Sequence, residues 1–184
     1  MSGILAVLEQ HGGTLHKSAL EGVAAAQQIG GELNLPVFAA VPGSGVEPAA
    51  RTLAGYKLEK IHAIDHDLLA QYTPDAWAAV LRQLIEAHRP QYVLFPHTYQ
   101  ARDFAPKLAT AFNRVLVSDV IAHRVENGSL VLVRQLFQGK VNADVRFEGG
   151  GPCFFSIQAG AFRADNVAAG SAPVEKSTPD LKPE

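Results

Sequence analysis

Cysteine is almost missing from this chain: Cys153 is the single one among 184 residues. That excludes an internal disulfide and any Cys-rich metal site, and it fits a reducing compartment. A run of basic residues is missing too. The 16 Lys and Arg are scattered against 18 Asp and Glu, for a formal charge of -2. Phosphate neutralisation needs a basic footprint, so nucleic acid is not the expected main partner. Long hydrophobic runs are absent, because Ala and Gly dilute every apolar stretch below what a membrane span requires. Met1-Ser2-Gly3 leads straight into Ile4-Leu5-Ala6-Val7-Leu8, without the basic n-region of a signal peptide. These absences together give the expectation of a cytoplasmic protein. Catalytic signatures are lacking as well: His-Glu-x-x-His, Gly-x-Ser-x-Gly, Cys-x-x-Cys and paired carboxylates outside loops do not occur.

What is present is apolar: 47% of the chain is hydrophobic, enough for one sizeable core. The organising stretch runs from Gln91 to Val120. Tyr92-Val93-Leu94-Phe95 is a continuous apolar run suited to a strand covered on both faces, halted by Pro96. His97-Thr98-Tyr99-Gln100 reads as a polar loop, Asp103 as an N-cap, and Phe104, Leu108 and Phe112 as one helical face. Val115-Leu116-Val117 follows as a second strand. Strand, loop, helix, strand predicts a right-handed parallel crossover, whose loop at the strand's carboxyl end is where a ligand or partner sits.

The rest of the chain repeats the pattern and then departs from it. Ile4 to Leu8 reads as a central strand, and Ser18 with Glu21 as a capping box for a helix ending at Gly30-Gly31. Leu35 to Val41 and Lys60 to Asp65 read as strands, with a short helix over Glu47 to Ala54 between them. Thr73-Pro74-Asp75 opens the clearest helix, whose Trp77, Val80, Leu81, Leu84 and Ile85 form the stripe that packs on a sheet; Arg89-Pro90 ends it. After Val120 come close-set strands with tight turns at Asn127-Gly128, Gln138-Gly139-Lys140 and Gly149-Gly150-Gly151, which predict antiparallel pairing and a flexible hairpin at the three glycines. From Asp165 the composition shifts to Ala, Gly, Ser, Pro and charge, which reads as an extended linker. The expected division is a domain over 1–164 and a linker or tail over 165–184.

Three groups of residues invite chemistry, and each has a plainer reading. Gly43-x-Gly45 resembles a phosphate cradle but has neither a third glycine nor a following Gly-Lys-Ser/Thr, so ordinary loop chemistry is preferred. His62, Asp65, His66 and Asp67 look like metal ligands, yet no third fixed ligand is identifiable, and a solvated exit loop is preferred. His97 with Asp103 is the best acid–base candidate. Against it, an Asp at a helix start is commonly a cap, and His97 is expected to hydrogen-bond within its loop.

Several stretches, in their order and spacing, resemble the N-terminal domain of electron transfer flavoprotein alpha subunits. They are Ile4-Leu5-Ala6-Val7-Leu8-Glu9, the helix carrying Glu21, Phe104-Ala105-Pro106-Lys107-Leu108-Ala109, Val117-Ser118-Asp119-Val120, Arg134, Gly139-Lys140 and Gly160-Ala161-Phe162. The resemblance covers Ile4 to about Phe162. It implies a three-layer α/β sandwich with a mainly parallel, Rossmann-like (adenine nucleotide alpha hydrolase-like) sheet and an antiparallel C-terminal extension. It implies an electron carrier component without bond chemistry of its own, paired with a beta subunit in a heterodimer that carries FAD between dehydrogenases and an acceptor. By the same resemblance FAD lies mainly in a separate C-terminal domain of the alpha subunit and AMP belongs to the beta subunit. No cofactor ligand carries over to a position here; Arg134, Gln138, Gly139, Lys140 and Phe162 are the expected partner interface. One departure is Gln158, where the family commonly has Arg, whose fixed fork an amide cannot reproduce. The rival readings are a free-standing adenine-nucleotide-binding module, using the strand ends near Leu8, Val41 and Phe95, and a small hydrolase or ligase dependent on His97.

Overall fold

The computed structural model describes residues 3–182. The chain runs β1 (Ile4–Val7), β2 (Gln10–His11), β3 (Thr14–Leu15), α1 (Ala19–Leu33), β4 (Val37–Gly43), α2 (Glu47–Leu53), β5 (Lys60–Asp65), α3 (Pro74–His88), β6 (Tyr92–Pro96) and α4 (Tyr99–Ala111). Then follow β7 (Leu116–Glu126), β8 (Ser129–Leu136), β9 (Val141–Arg146), β10 (Cys153–Ile157) and β11 (Val174–Ser177). Nine strands form one sheet in the order β11-β5-β4-β1-β6-β10-β7-β8-β9, parallel from β11 to β7 and antiparallel from β7 to β9. The expected mainly parallel α/β sandwich with an antiparallel extension is what the chain adopts.

Side-chain alternation along the strands builds the two outer layers. Ile4, Ala6 and Leu8 face α1 and α2, in a core with Val23, Ile29, Leu53, Leu94 and Phe155. Leu5 and Val7 face α3 and α4, with Trp77, Leu81, Phe95, Phe104 and Phe154. Full burial of each of these phenylalanines contributes about 1.5–3 kcal/mol. Trp77 is the expected core anchor: its ring lies 5.2 Å from Phe104 and 5.7 Å from Tyr72.

Five local expectations are corrected. Helix α1 does not stop at Gly30-Gly31; it continues to Leu33 and closes on Asn34 in the left-handed conformation. Gly30 is there for close packing, since a Cβ on it would lie 2.6 Å from Val37 Cγ2. The capping box does not form. Ser18 Oγ pairs with His16 Nδ1 at 2.8 Å, and the Glu21 carboxylate reaches across the molecule to accept from Gly160 N at 2.9 Å. Helix α4 is capped by Thr98, whose hydroxyl accepts from Ala101 N at 3.0 Å, so Asp103 lies inside the helix.

The remaining two corrections concern topology. The two strands of the Gln91–Val120 unit are parallel as expected, but β10 inserts between β6 and β7, parallel to both. The Gly149–Gly151 stretch is therefore a return connection and not a hairpin. The stretch read as linker is also not detached: Val174–Ser177 adds β11 alongside β5, in register from Val174 opposite Ile61 to Ser177 opposite Ile64. Pro183 and Glu184, at the end of that stretch, and Met1 and Ser2 lie outside the described residues.

Candidate functional site

The chain leaves β1 toward β4 on one side and returns through α3 to β6 on the other, so the strand order reverses between β1 and β6. In a sheet of this kind that reversal opens a crevice at the carboxyl ends of the strands. A cleft of about 560 Å³ lies there, bordered by Glu9, His16, Lys17, His97, Thr98 and Arg102. Glu9, which follows β1, is 7% exposed and accepts a hydrogen bond from the Thr98 hydroxyl. Burial pushes its carboxyl above the usual range, against the Thr98 hydrogen bond and the nearby His16, which pull it down.

Beside the cleft, the ends of β6, β10 and β7 are tied together by side chains. His97 N donates to Ile157 O at 2.8 Å, and His97 Nδ1 lies 2.8 Å from Ser156 Oγ, which also accepts from Asp119 N at 3.1 Å. Ser156 Oγ thus joins the imidazole to the backbone of β7, and which of Ser156 and His97 donates to the other is set by the His97 tautomer. Burial lowers the His97 pKa, Asp119 raises it, and Arg102 and Arg134 lower it further, so the neutral imidazole is favoured. Asp119 has φ of 61°, at a break in register where β7 bends away from β10. Its carboxylate accepts from Gln158 Nε2 at 3.2 Å. Beyond this bend the outer half of β7 passes over α1, where His123 Nε2 lies 3.2 Å from Glu32 Oε2.

The acid–base candidate pair is not assembled, in line with the plainer reading. His97 is engaged by Ser156 of β10, outside its own loop, whereas Asp103 accepts from the Tyr72 hydroxyl at 2.8 Å. The glycine loop is filled by the protein itself. Gly45 N donates to Asp65 Oδ1 at 2.8 Å, and the Gln10 amide sits where a Cβ on Gly43 would be, 2.1 Å from its Nε2. A phosphate would have to displace that carboxylate. In the larger cleft the one buried charge-bearing group is Glu9, and Lys17 and Arg102 stand exposed at the rim. This interior does not fit a phosphate-bearing cofactor such as FAD or AMP.

The four residues considered as metal ligands do not converge. Asp65 holds Gly45, the His66 Nδ1 accepts from Leu68 N at 3.1 Å, and His62 points into the protein at 2% exposure. Burial and the neighbouring His88 and Lys60 pull the His62 pKa down to about 4, against Glu175, which raises it.

The expected interface residues divide into two sets. Gln138, Gly139 and Lys140 form the exposed turn between β8 and β9, where Phe137, Gln138 and Gly139 all have positive φ. That conformation turns Phe137 outward at 75% exposure, beside Val141 at 50%. Arg134 lies lower on the same arm, opposite Val120, and its Nε is buried without a hydrogen-bond partner. Phe162 is apart from them: 7% exposed, it stacks on His123 with ring centroids 5.8 Å apart. Phe137 and Val141 stand out only in the structure, as exposed large apolar side chains on this turn, although a large apolar residue beside a Gln-Gly turn is a readable signal.

A doubly wound sheet with a self-filled glycine loop and an arm at its edge that exposes Phe137 and Val141 defines an α/β module of the Rossmann-like class. The chain belongs to the electron transfer flavoprotein domain family, whose model matches residues 4–182. It is 33% identical to the electron transfer flavoprotein subunit alpha of Syntrophomonas wolfei over 175 residues, covering 95% of this chain and 54% of that protein. It is 29% identical to the subunit of the same name from Bacillus subtilis, covering 95% and 51%. It is 27% identical to the lactate dehydrogenase (NAD(+),ferredoxin) subunit LctC of Acetobacterium woodii, covering 88% and 39%. The chain spans about half the length of the curated relatives it matches. Among the described residues no helix is long and apolar enough to cross a membrane.

Proposed function

We propose that this chain is the scaffold domain of an electron transfer flavoprotein alpha subunit, docking a beta subunit and supporting a flavin-bearing domain. In this role it performs no bond chemistry. It positions FAD held outside its own cleft, and electrons pass from dehydrogenases to an acceptor through that flavin. AMP, where present, belongs to the partner. Residues 1–164 would form the body of the domain, and the stretch after them would act as a tail that returns to the sheet as its edge strand β11.

The observation that carries this reading is the β8–β9 arm, with Phe137 and Val141 exposed beside Gln138, Gly139 and Lys140. Water-exposed apolar side chains on a structured turn are what a partner would bury. The filled glycine loop and the buried Glu9 weigh against a free-standing nucleotide module.

The test is co-expression with the cognate beta subunit and capture through a tag on this chain. Phe137→Asp and Val141→Asp are expected to reduce capture at least tenfold while leaving the thermal midpoint of the isolated chain within a few degrees. Wild-type capture by the double variant would overturn the arm as the docking surface.

A further inference from the structure

At the opposite edge of the sheet from the β8–β9 arm, three side chains distant in sequence converge. His62 is on β5, His88 ends α3, and Glu175 is on β11 directly opposite His62 in the parallel register. The imidazole rings of His62 and His88 lie 4.5 Å apart at 46°. His62 is 2% exposed, and its Nδ1 is buried without a hydrogen-bond partner, 3.9 Å from Glu175 Oε1. One potential ligand atom from each residue lies within 4.8 Å of the others.

We propose that His62, His88 and Glu175 bind one divalent transition-metal ion of the zinc type, which fastens β11 to the sheet and to α3. Two imidazoles and one carboxylate match the nitrogen and oxygen donors such an ion prefers, whereas calcium and magnesium take all-oxygen sets. In a tetrahedral zinc site the ligand atoms stand about 3.4 Å apart, given bonds of about 2.1 Å. The observed 3.9 Å between His62 Nδ1 and Glu175 Oε1, within a set spread over at most 4.8 Å, therefore calls for a closing movement of about 0.5–1.4 Å on metal binding. Glu175 is already oriented for it: Oε2 accepts from Lys60 Nζ at 2.6 Å, which leaves Oε1 facing His62. A hydrogen bond to the far oxygen of a ligating carboxylate is the usual supporting contact at metal sites.

The role is structural. The cavity beside the two imidazoles, lined by Leu5, Phe38, Leu84 and Pro90, is about 10 Å³, room for a single water at most and not for a substrate. The ion would hold a strand carrying only four residues to elements met more than 80 positions earlier in the chain.

The test is titration of the full, metal-free chain with Zn(II) against a chromophoric chelator, with Co(II) absorption reporting the geometry. The expected result is one equivalent bound, with tetrahedral Co(II) bands and a rise in thermal midpoint. Glu175→Gln and His88→Gln are each expected to weaken binding at least tenfold, and His11→Gln, at an exposed position elsewhere, to leave it unchanged. These variants sit at partly open positions, so they bypass the risk that changing buried His62 prevents folding. No saturable binding by the wild-type chain would overturn the proposal. So would one-equivalent binding that survives in the Glu175→Gln, His88→Gln double variant, because the ion would then sit elsewhere.

Discussion

Gln158 Nε2 donates to Asp119 Oδ2 at 3.2 Å across the junction where β10 meets the bend in β7. Asp119 is held there with φ of 61°, a conformation that β-branched residues avoid and Asn or Gly tolerate. Asp119→Val is expected to destabilise the chain by about 1–3 kcal/mol in urea denaturation, and Asp119→Asn by less than about 0.5 kcal/mol. Equal losses for the two would show that the backbone conformation is not what Asp119 supplies.

His97 carries the acid-side consequence of the same cluster. Because burial favours its neutral form, its folded pKa lies below the ordinary 6.5. A depressed pKa contributes stability that is fully present above the unfolded value and is lost as pH falls through the folded one. The His97 ring resonances are expected to titrate with a midpoint below 6.5, and His97→Gln to reduce the loss of stability on that acid limb. A midpoint above 6.5 would mean that Asp119 outweighs burial.

Much of this fold is legible in the chain because its signals are local. Thr73-Pro74-Asp75 carries cap, first-turn proline and acid together, and α3 begins there as expected. Where a feature depends on a distant partner, local rules fail. Asp103 has the chemistry of a cap, but Tyr72, 31 residues away, takes its carboxylate, while Thr98 caps the helix. Glu21 has the spacing of a capping box, and Gly160 claims it from 139 residues away. The position of β10 had a signal that was outweighed. Cys153-Phe154-Phe155-Ser156-Ile157 is buried at every residue, as a parallel interior strand is, whereas β9, the strand before it in sequence, alternates. The tight glycine spacing suggested a hairpin, but burial on both faces decides. β11 had no such signal, because Val174-Glu175-Lys176-Ser177 is short and polar and forms only against β5. The histidine–carboxylate group that it completes was therefore hidden as well.

Glu9 gives a prediction of opposite sign to His97. Burial raises its folded pKa, so its contribution to stability is fully present below the unfolded value of about 4.5 and is lost as pH rises through the folded value. Above the unfolded value the buried carboxyl is a net cost, either as a buried charge or as a proton taken up on folding. Glu9→Gln keeps an oxygen to accept from Thr98 and removes that charge. The variant is expected to melt higher than wild type at pH 7 and to show no gain at pH 4. A gain of the same size at both would point to packing instead of charge.

Phe154 tests the inserted strand directly. Its ring is fully buried, stacked on Phe95 at 6.4 Å and 8°, and lies 5.6 Å from Phe112 at the end of α4. If β10 were the partner of β9 in a hairpin at the sheet's outer edge, this side chain would lie far from β6 and its loss would be mild. Because β10 lies between β6 and β7, Phe154→Ala leaves a cavity in the core shared by α3, α4 and the sheet, at a cost of about 3–5 kcal/mol. Phe137→Ala, on the exposed turn, is expected to change stability by less than about 0.5 kcal/mol. Chemical denaturation of the two variants side by side separates the topologies. Equal small losses would place β10 at the edge, and the expected large difference places it inside.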